Sequence, residues 1–264
     1  MAPRFDTLNV TDPLPSVRLL RLDRPESANA INTRMAQELL TVFGELVEPG
    51  PDVRCVVLTG SGTTAFCAGG DLKQRSAMTD EEWRAQHALV ERLIRTMLDC
   101  PVPVLAAVNG AAYGGGCELV LAADFAYAAD HARFALPETG LGIMPGAGGT
   151  QHLPRAAGLR RAKELIFTAR SFGAAEALRW GVVNEVVTTG DLLSHTLRVA
   201  GTIAVKAPLA IRQAKRAIQL GTEMDRRTAL YFEAEAYDRL VPTRDRREGV
   251  RAYAERREPV FEGR

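Results

Sequence analysis

The sequence predicts an α/β protein with a helical C-terminal part, and three observations indicate this architecture. Short apolar runs alternate with segments of helical period over about the first 190 residues. One of these runs, VPVLAAVNG at 102–110, is almost continuously apolar, as in a strand that is buried on both faces. From about residue 190 onward one helical segment follows another. Strands that alternate with helices favour an α/β fold.

The predicted strands are short and separated by turn or helix signals. They are VRLLRL at 17–22, RCVVLTG at 54–60, the run at 102–110, DFAYAAD at 124–130 and WGVVNEVV at 180–187. The last two are the weaker candidates, because their apolar runs are interrupted. No internal repeat and no low-complexity linker separates the segments.

The predicted helices have recognisable starts. TRMAQELLTVFGELV at 33–47 opens after Asn32, and the helix within 79–100 opens at a Thr-x-x-Glu capping box. Four further helices are expected over 190–205, 207–221, 225–239 and 243–257. The sequence therefore divides into a core over 1–189 and a helical region over 190–264.

Composition excludes several classes of function. The 264 residues carry 33 basic and 32 acidic side chains, a net charge of +1, so no nucleic-acid partner is expected. The four cysteines have no CxxC spacing and the four histidines are scattered, so we predict no metal site. The cysteines are expected to be free thiols in a reducing compartment.

No membrane or export segment is expected either. No uninterrupted apolar run reaches 18 residues, so we predict no transmembrane helix. The first 13 residues contain no apolar stretch followed by a cleavage site. We predict a soluble, cytoplasmic protein.

Two glycine-rich stretches are poor cofactor loops. LTGSGTTAF at 58–66 nominally fits a dinucleotide fingerprint, but no helix start follows it and no Tyr-x-x-x-Lys pair occurs in the chain. PGAGGT at 145–150 lacks the Gly-Lys-Ser/Thr ending of a phosphate loop. We interpret the second stretch as a helix start whose glycines allow close packing, and a nicotinamide site is disfavoured.

Two other glycine-rich stretches are more informative. FCAGGDL at 66–72 and YGGGCEL at 113–119 each place glycines directly before a candidate helix start. The first N–H groups of a helix have no intrahelical acceptor and favour negative charge. Two such turns that face each other can hold one oxyanion with two backbone donors. The alternative is that both are simply tight turns, and spacing alone leaves both readings open.

Two glutamates lie near these turns in the sequence. Glu118 directly follows the glycine triplet, and Glu138 follows Pro137 in RFALPETGLG at 133–142. Both have apolar neighbours, where a carboxylate needs partners or acquires a raised pKa. Each could instead cap a helix or pair with an arginine. Two carboxylates beside an oxyanion site indicate acid–base chemistry next to a carbonyl group.

Together these motifs resemble the crotonase (enoyl-CoA hydratase/isomerase) family along nearly the whole chain. Some stretches are similar to methylglutaconyl-CoA hydratases of leucine breakdown. The landmarks, in order, are LDRPESANAIN (22–32), AFCAGGDLK (65–73), PVPVLAAVNGAAYGGGCELVLAADF (101–125), FALPETGLGIMPGAGGTQHLPRAAG (134–158), RSFGAAEALRWGVVNEVV (170–187) and TRDRREGVRAYAERREPVF (243–261).

The resemblance implies a spiral of ββα turns followed by a helical region that forms trimers, which often pair into hexamers. It implies an acyl-CoA thioester as substrate, with coenzyme A as part of that substrate and no separate cofactor. The thioester oxygen would accept hydrogen bonds from the backbone N–H groups of Ala68 and Gly115.

The resemblance also implies further binding positions. Gly69, Gly70 and Asp71 would line the same pocket as Ala68. Ala28 and Ala30 match the family segment that contacts the adenine end of coenzyme A. Tyr253 and Arg256 match positions that reach coenzyme A from a neighbouring subunit.

The reaction implied is the hydration of a trans-2-enoyl-CoA to a 3-hydroxyacyl-CoA. Hydratases of the family carry both carboxylates, whereas isomerases typically keep only the one that matches Glu138. By resemblance, Glu118 activates the water and Glu138 protonates C2. Alternatives are a methylglutaconyl-CoA hydratase, an enoyl-CoA isomerase, a thioester hydrolase and a non-catalytic acyl-CoA or nucleic-acid binding protein.

Overall fold

The computed structural model describes residues 5–47 and 52–264 and contains two β-sheets surrounded by helices. Residues 1–4, part of the stretch in which no export signal was expected, lie outside the described residues. The strands are β1 (Leu8–Leu14), β2 (Val17–Leu22), β3 (Cys55–Gly60), β4 (Ala65–Cys67), β5 (Val104–Val108), β6 (Ala111–Tyr113), β7 (Phe125–Ala129), β8 (Arg133–Ala135), β9 (Phe172–Gly173) and β10 (Glu185–Val187).

The helices follow one another without intervening strands in the C-terminal part of the chain, whereas earlier they are interspersed with strands. They are α1 (Thr33–Val47), α2 (Leu72–Arg75), α3 (Asp80–Leu98), α4 (Gly115–Ala122), α5 (Gly149–Ala157), α6 (Leu159–Thr168), α7 (Ala174–Arg179), α8 (Leu192–Ala204), α9 (Pro208–Gly221), α10 (Arg226–Asp238) and α11 (Arg244–Glu255). Short 3₁₀ turns cover Pro25–Ser27 and Glu138–Leu141.

From β3 to β8, successive strands alternate between the two sheets, which makes this part of the chain a spiral. The larger sheet has the order β1-β2-β3-β5-β7-β10 and the smaller one β4-β6-β8-β9. The chain therefore passes from β3 to β4, from β5 to β6 and from β7 to β8, and each pair is followed by helical structure. Within each sheet these strands run parallel. The repeated ββα turn predicted from the family resemblance is confirmed.

The core lies between the larger sheet and the helices that cover it. All residues of β3 and β5 are buried, as the apolar run at 102–110 predicts for a strand covered on both faces. Helix α1 buries a stripe of helical period and packs against α3. The stripe consists of Met35, Ala36, Leu39, Val42, Phe43 and Leu46.

The sequence predicted the long elements well and missed the short ones. Helix α1 has the predicted bounds, and α3 begins after Thr79 with the predicted capping box to Glu82. The four C-terminal helices also form where predicted. The strand predicted over 180–187 shortens to β10, because the chain turns at Gly181, whose φ is +77°. Strand β8 forms in the strand-like run that precedes Pro137, whereas strands β1, β4, β6 and β9 were not predicted.

The C-terminal region begins as part of the core and then leaves it. Helix α8 packs on β3 and β5, burying Leu192, Ala200 and Ala204. The later helices are much more exposed, and α9 buries only Pro208. In the described part of the chain, no helix combines the length and hydrophobicity needed to cross a bilayer.

Candidate functional site

A cavity of about 500 Å³ lies where successive turns of the spiral meet. The loop after β4 forms one wall, the start of α4 a second, and the turn after β8 a third. A face of α3 with Trp83 and His87 closes the fourth side. The cavity contains both glutamates singled out from the sequence, together with Ala68, Gly69, Gly70 and Gly115.

On the two facing glycine turns of this cavity, the backbone N–H groups of Gly70 and Gly115 make no hydrogen bond to the described residues. Gly115 is the first residue of α4, so its N–H has no intrahelical acceptor. A methyl carbon added to Gly115 would lie 3.8 Å from the Gly70 nitrogen, so the two segments are direct neighbours. The facing glycine turns therefore form a two-donor site.

The structure corrects one of the two predicted donors. The Ala68 N–H donates to the Ala28 carbonyl oxygen at 3.0 Å and is not available to a ligand. The Ala28 carbonyl is fixed because Ala28 and Asn29 both adopt positive φ and the Asn29 amide donates to Ser61 and Ala65 carbonyls. Gly70 replaces Ala68 as the donor that pairs with Gly115.

Glycine is required at two positions of this site. Gly69 has φ +93°, and a Cβ there would lie 2.7 Å from the Tyr113 carbonyl oxygen. Gly114 has φ +50°, and a Cβ there would lie 2.9 Å from Glu138 Oε1. Both positive φ values and the short distances disfavour a side chain. The glycine triplet thus allows α4 to start directly against the loop after β4.

Glu118 is buried on α4 and is held by a second helix start. Its Oε1 accepts hydrogen bonds from the N–H groups of Ala147 (2.7 Å) and Gly149 (2.8 Å), the latter being the first residue of α5. Burial raises the pKa of Glu118, and the two N–H donors oppose that shift. Its Oε2 makes no hydrogen bond to the described residues and is the oxygen left for a ligand.

Glu138 has a different environment. It is 8% exposed, and its Oε2 is buried without a hydrogen-bond partner in the described structure. Burial, with a smaller contribution from the nearby charge of Glu118, raises the pKa of Glu138 to about 7. Because no donor stabilises its ionised form at Oε2, Glu138 is suited to carry a proton, whereas Glu118 is suited to accept one.

The remaining predicted site residues lie outside the cavity. Asp71 accepts from the Gln74 N–H at the start of α2 and pairs with Arg24 at 2.9 Å, so its carboxylate has a structural role and does not line the pocket. Ala28 and Ala30 do not line the cavity, but Ile31, which follows Ala30 in the chain, does. The predicted contacts of Ala28 and Ala30 with coenzyme A stay predictions.

Tyr253 and Arg256 belong to the last helix and its C-terminal cap. Tyr253 is 88% exposed, and neither residue lines the cavity of its own chain. Their predicted contact with coenzyme A from a neighbouring subunit stays a prediction. The described residues contain no group of three His, Cys, Asp or Glu side chains arranged to hold a metal ion.

Sequence reasoning missed the function of PGAGGT at 145–150. The segment was interpreted as a closely packed helix start, and α5 does begin at Gly149. Its N-terminal N–H groups hold the Glu118 carboxylate rather than a phosphate. The signal was available in principle, since a glycine-rich helix start and an apolar-flanked glutamate each needed a partner.

Comparison with known proteins gives consistent matches along the chain. The family model described as "Enoyl-CoA hydratase/isomerase" matches residues 14–264. The short-chain-enoyl-CoA hydratase of Clostridium acetobutylicum is 41% identical, with 91% of this chain and 92% of that protein covered. The crotonyl-CoA hydratase of Syntrophomonas wolfei is 40% identical, with 92% and 93% covered. The 1.8 Å crystal structure of enoyl-CoA hydratase from Bacillus anthracis superposes with a TM-score of 0.96 at 41% identity, covering 98% of this chain and 100% of that one.

Proposed function

The chain belongs to the enoyl-CoA hydratase/isomerase family, and on that premise we propose that it is an enoyl-CoA hydratase. It adds water across the 2,3 double bond of a trans-2-enoyl-CoA and gives a 3-hydroxyacyl-CoA. The observation that carries this proposal is the pair Glu118 and Glu138 in one cavity beside two unengaged backbone donors. Relatives of similar length that are named short-chain-enoyl-CoA and crotonyl-CoA hydratases support it.

The thioester carbonyl binds between the N–H groups of Gly70 and Gly115. As water adds at C3, negative charge moves toward C2 and the carbonyl oxygen, and these two donors stabilise the enolate-like state. Their positions are set by α4 and the loop after β4, so they need little reorganisation during the reaction. Loss of one donor from such a site typically costs about 10²–10³ in rate.

The two glutamates divide the proton transfers according to their surroundings. Glu118 uses Oε1 to accept from Ala147 and Gly149, so its Oε2 is oriented to accept a proton from water. The resulting hydroxide adds to C3, and protonated Glu138 delivers its proton to C2. Water thus supplies the hydroxyl at C3, one proton passes from water to Glu118, and another passes from Glu138 to C2. Exchange with solvent restores both glutamates, so no cofactor is required.

The finer points of assembly and location are also proposals. A trimer or hexamer would let Tyr253 and Arg256 reach the coenzyme A of a neighbouring chain. The four cysteines are free and buried, which fits a reducing compartment such as the cytoplasm.

The test is the loss of the conjugated-enoyl absorbance of crotonyl-CoA, with the product identified as 3-hydroxybutyryl-CoA. Wild type should hydrate the substrate, and Glu118→Gln and Glu138→Gln should each lose about 10²–10⁴ in kcat/KM. Glu45→Gln is the matched control, because Glu45 is exposed on α1 and remote from the cavity lining.

Three results would overturn the proposal in different ways. Full activity of Glu118→Gln on a 3-enoyl-CoA would indicate an isomerase. Release of free coenzyme A would indicate a thioester hydrolase. Binding of crotonyl-CoA without turnover, even at high enzyme concentration, would indicate a binding protein.

A further inference from the structure

Arg75 places a positive charge in the cavity that no described residue pairs with. It is the last residue of α2, and it lines the cavity together with both glutamates. Its guanidinium lies against Gly70, where an added Cβ would be 2.8 Å from Arg75 Cζ. Glu118 and Glu138 act on its charge from a distance, but no described carboxylate forms an ion pair with it, and its Nη1 and Nη2 atoms donate no hydrogen bond to the described residues.

The Arg75 side chain is nevertheless held in place. Its Nε donates to Gln86 Oε1 at 2.8 Å, and its guanidinium stacks 4.8 Å from the centre of the Trp83 ring. Gln86 is buried on α3, and its amide nitrogen donates to Thr33 and to Gln74, both at 2.8 Å. Gln86, whose amide group is itself hydrogen-bonded, therefore holds the Nε edge of the guanidinium. The Nη1 and Nη2 atoms remain available on the cavity side.

A guanidinium in this position is unfavourable for a purely hydrocarbon acyl chain. Burial lowers the pKa of Arg75, and the charges of Glu118 and Glu138 oppose that shift, so the group stays ionised. An apolar acyl chain would displace the water molecules that hydrate the guanidinium and would offer no hydrogen-bond acceptor in their place. A carboxylate matches the two free N–H edges of a guanidinium in both charge and geometry.

We propose that the substrate acyl chain itself ends in a carboxylate, and that Arg75, positioned by Gln86, binds it. This inference rests on the proposed hydratase function, because it assigns the substrate class of the same cavity. The thioester end would bind at Gly70 and Gly115, and the terminal carboxylate would accept hydrogen bonds from Arg75 Nη1 and Nη2. Arg75 would then be a specificity-determining residue and would take no part in proton transfer.

The test compares two substrates that differ only at the end of the chain. Glutaconyl-CoA has a five-carbon enoyl chain that ends in a carboxylate, and trans-2-pentenoyl-CoA has a methyl group at that position. The readout is the ratio of the two kcat/KM values, measured from the enoyl absorbance. Wild type should prefer glutaconyl-CoA. Arg75→Met should lower the ratio about 10- to 100-fold, mainly through the KM of glutaconyl-CoA.

Two further variants distinguish a direct contact between Arg75 and the substrate carboxylate from a non-specific electrostatic effect of positive charge near the cavity. Arg75→Lys keeps the charge without the planar fork and should recover part of the ratio. Arg84→Met removes a charge from the exposed rim of the same cavity and should leave the ratio unchanged.

The inference is overturned if Arg75→Met affects both substrates equally, or if Arg84→Met changes the ratio as much as Arg75→Met does. If wild type hydrates pentenoyl-CoA but not glutaconyl-CoA, the inference fails while the proposed function stands. If wild type hydrates neither these substrates nor crotonyl-CoA, the proposed function itself fails.

Discussion

At the scale of single residues, two carboxyl groups in one cavity are made different by their backbone neighbours. Glu118 has two N–H donors on one oxygen, whereas Glu138 has a buried oxygen with no donor among the described residues. Hydrogen bonds stabilise an ionised carboxylate, and burial without them stabilises the protonated form. The acid and base functions that we propose for them follow from this difference in surroundings.

Glu138 should make the folded state less stable as pH rises. Its folded pKa of about 7 exceeds the ordinary value of 4.5, so the folded state keeps a proton that the unfolded state has lost between these pH values. Stability linked to this group is complete below pH 4.5 and is lost as pH rises through 7. Glu138→Gln removes the ionisable group, and with it this loss of folding stability at high pH.

The variant should therefore gain about 1–3 kcal/mol over wild type at pH 8 and little at pH 4.5. Chemical denaturation at several pH values and one protein concentration measures the difference. Glu45→Gln, at an exposed site on α1, is the matched control. A Glu138→Gln variant that is less stable than wild type at pH 8 would contradict the assignment.

Gly149 should be essential to the position of Glu118. A Cβ at Gly149 would lie 3.0 Å from Glu118 Oε1 and 2.9 Å from the Leu136 side chain. Gly149→Ala should displace the carboxylate from the position in which we propose that it activates water, and should lower kcat/KM by about 10- to 100-fold. Gly173→Ala, directly before another helix, is the control, because its Cβ would meet nothing within 4 Å. Equal activity of the two variants on crotonyl-CoA would show that the Gly149 contact is dispensable.

At the scale of secondary-structure elements, the success of the sequence predictions depended on length. Helices α1 and α3 present a full apolar stripe, and α3 also has a capping box, so pattern alone specified them. Strands β4, β6 and β8 have three residues each, too few to display a period of two. They exist because neighbouring turns of the spiral supply their hydrogen bonds.

The same distinction holds for the site. The glycine turns and both glutamates could be predicted, since each has a local sequence signal. The replacement of Ala68 by Gly70 as donor could not, because it depends on a hydrogen bond to Ala28, 40 positions earlier in the chain. The partner of Glu118 likewise comes from α5, the next turn of the spiral.

The close contact between α4 and β4 allows this packing to be tested by substitution. A Cβ on Gly116 would lie 2.1 Å from the Cys67 carbonyl oxygen, so helix and strand would have to separate. Gly116→Ala should destabilise the protein by about 2–4 kcal/mol or prevent folding. Gly44→Ala, inside α1 with nothing within 4 Å, should instead stabilise it by about 0.5–1 kcal/mol. Denaturation midpoints at equal protein concentration compare them, and equal midpoints would contradict the packing argument.

At the scale of the whole molecule, the spiral explains why one site draws on distant parts of the sequence. Each ββα turn brings the end of a short strand to the same edge, so the loops after β4, β6 and β8 meet around one cavity. The late helices have a different character, because they leave large apolar side chains exposed. These include Ile218, Leu230, Tyr231, Tyr237, Val250 and Tyr253, each at least 58% exposed. An exposed apolar surface of this kind is typical of a subunit interface.

Assembly through these helices should therefore be coupled to substrate binding. We expect wild type to have the mass of three or six 28.7 kDa chains by light scattering. Leu230→Glu, on α10, should shift the protein toward single chains, whereas Leu159→Glu, at an exposed position on α6, should not. If Tyr253 and Arg256 contact coenzyme A across the interface, single chains should also show a raised KM. A single-chain wild type that hydrates crotonyl-CoA normally would refute both the assembly and the shared site, since Tyr253 and Arg256 do not line the cavity of their own chain.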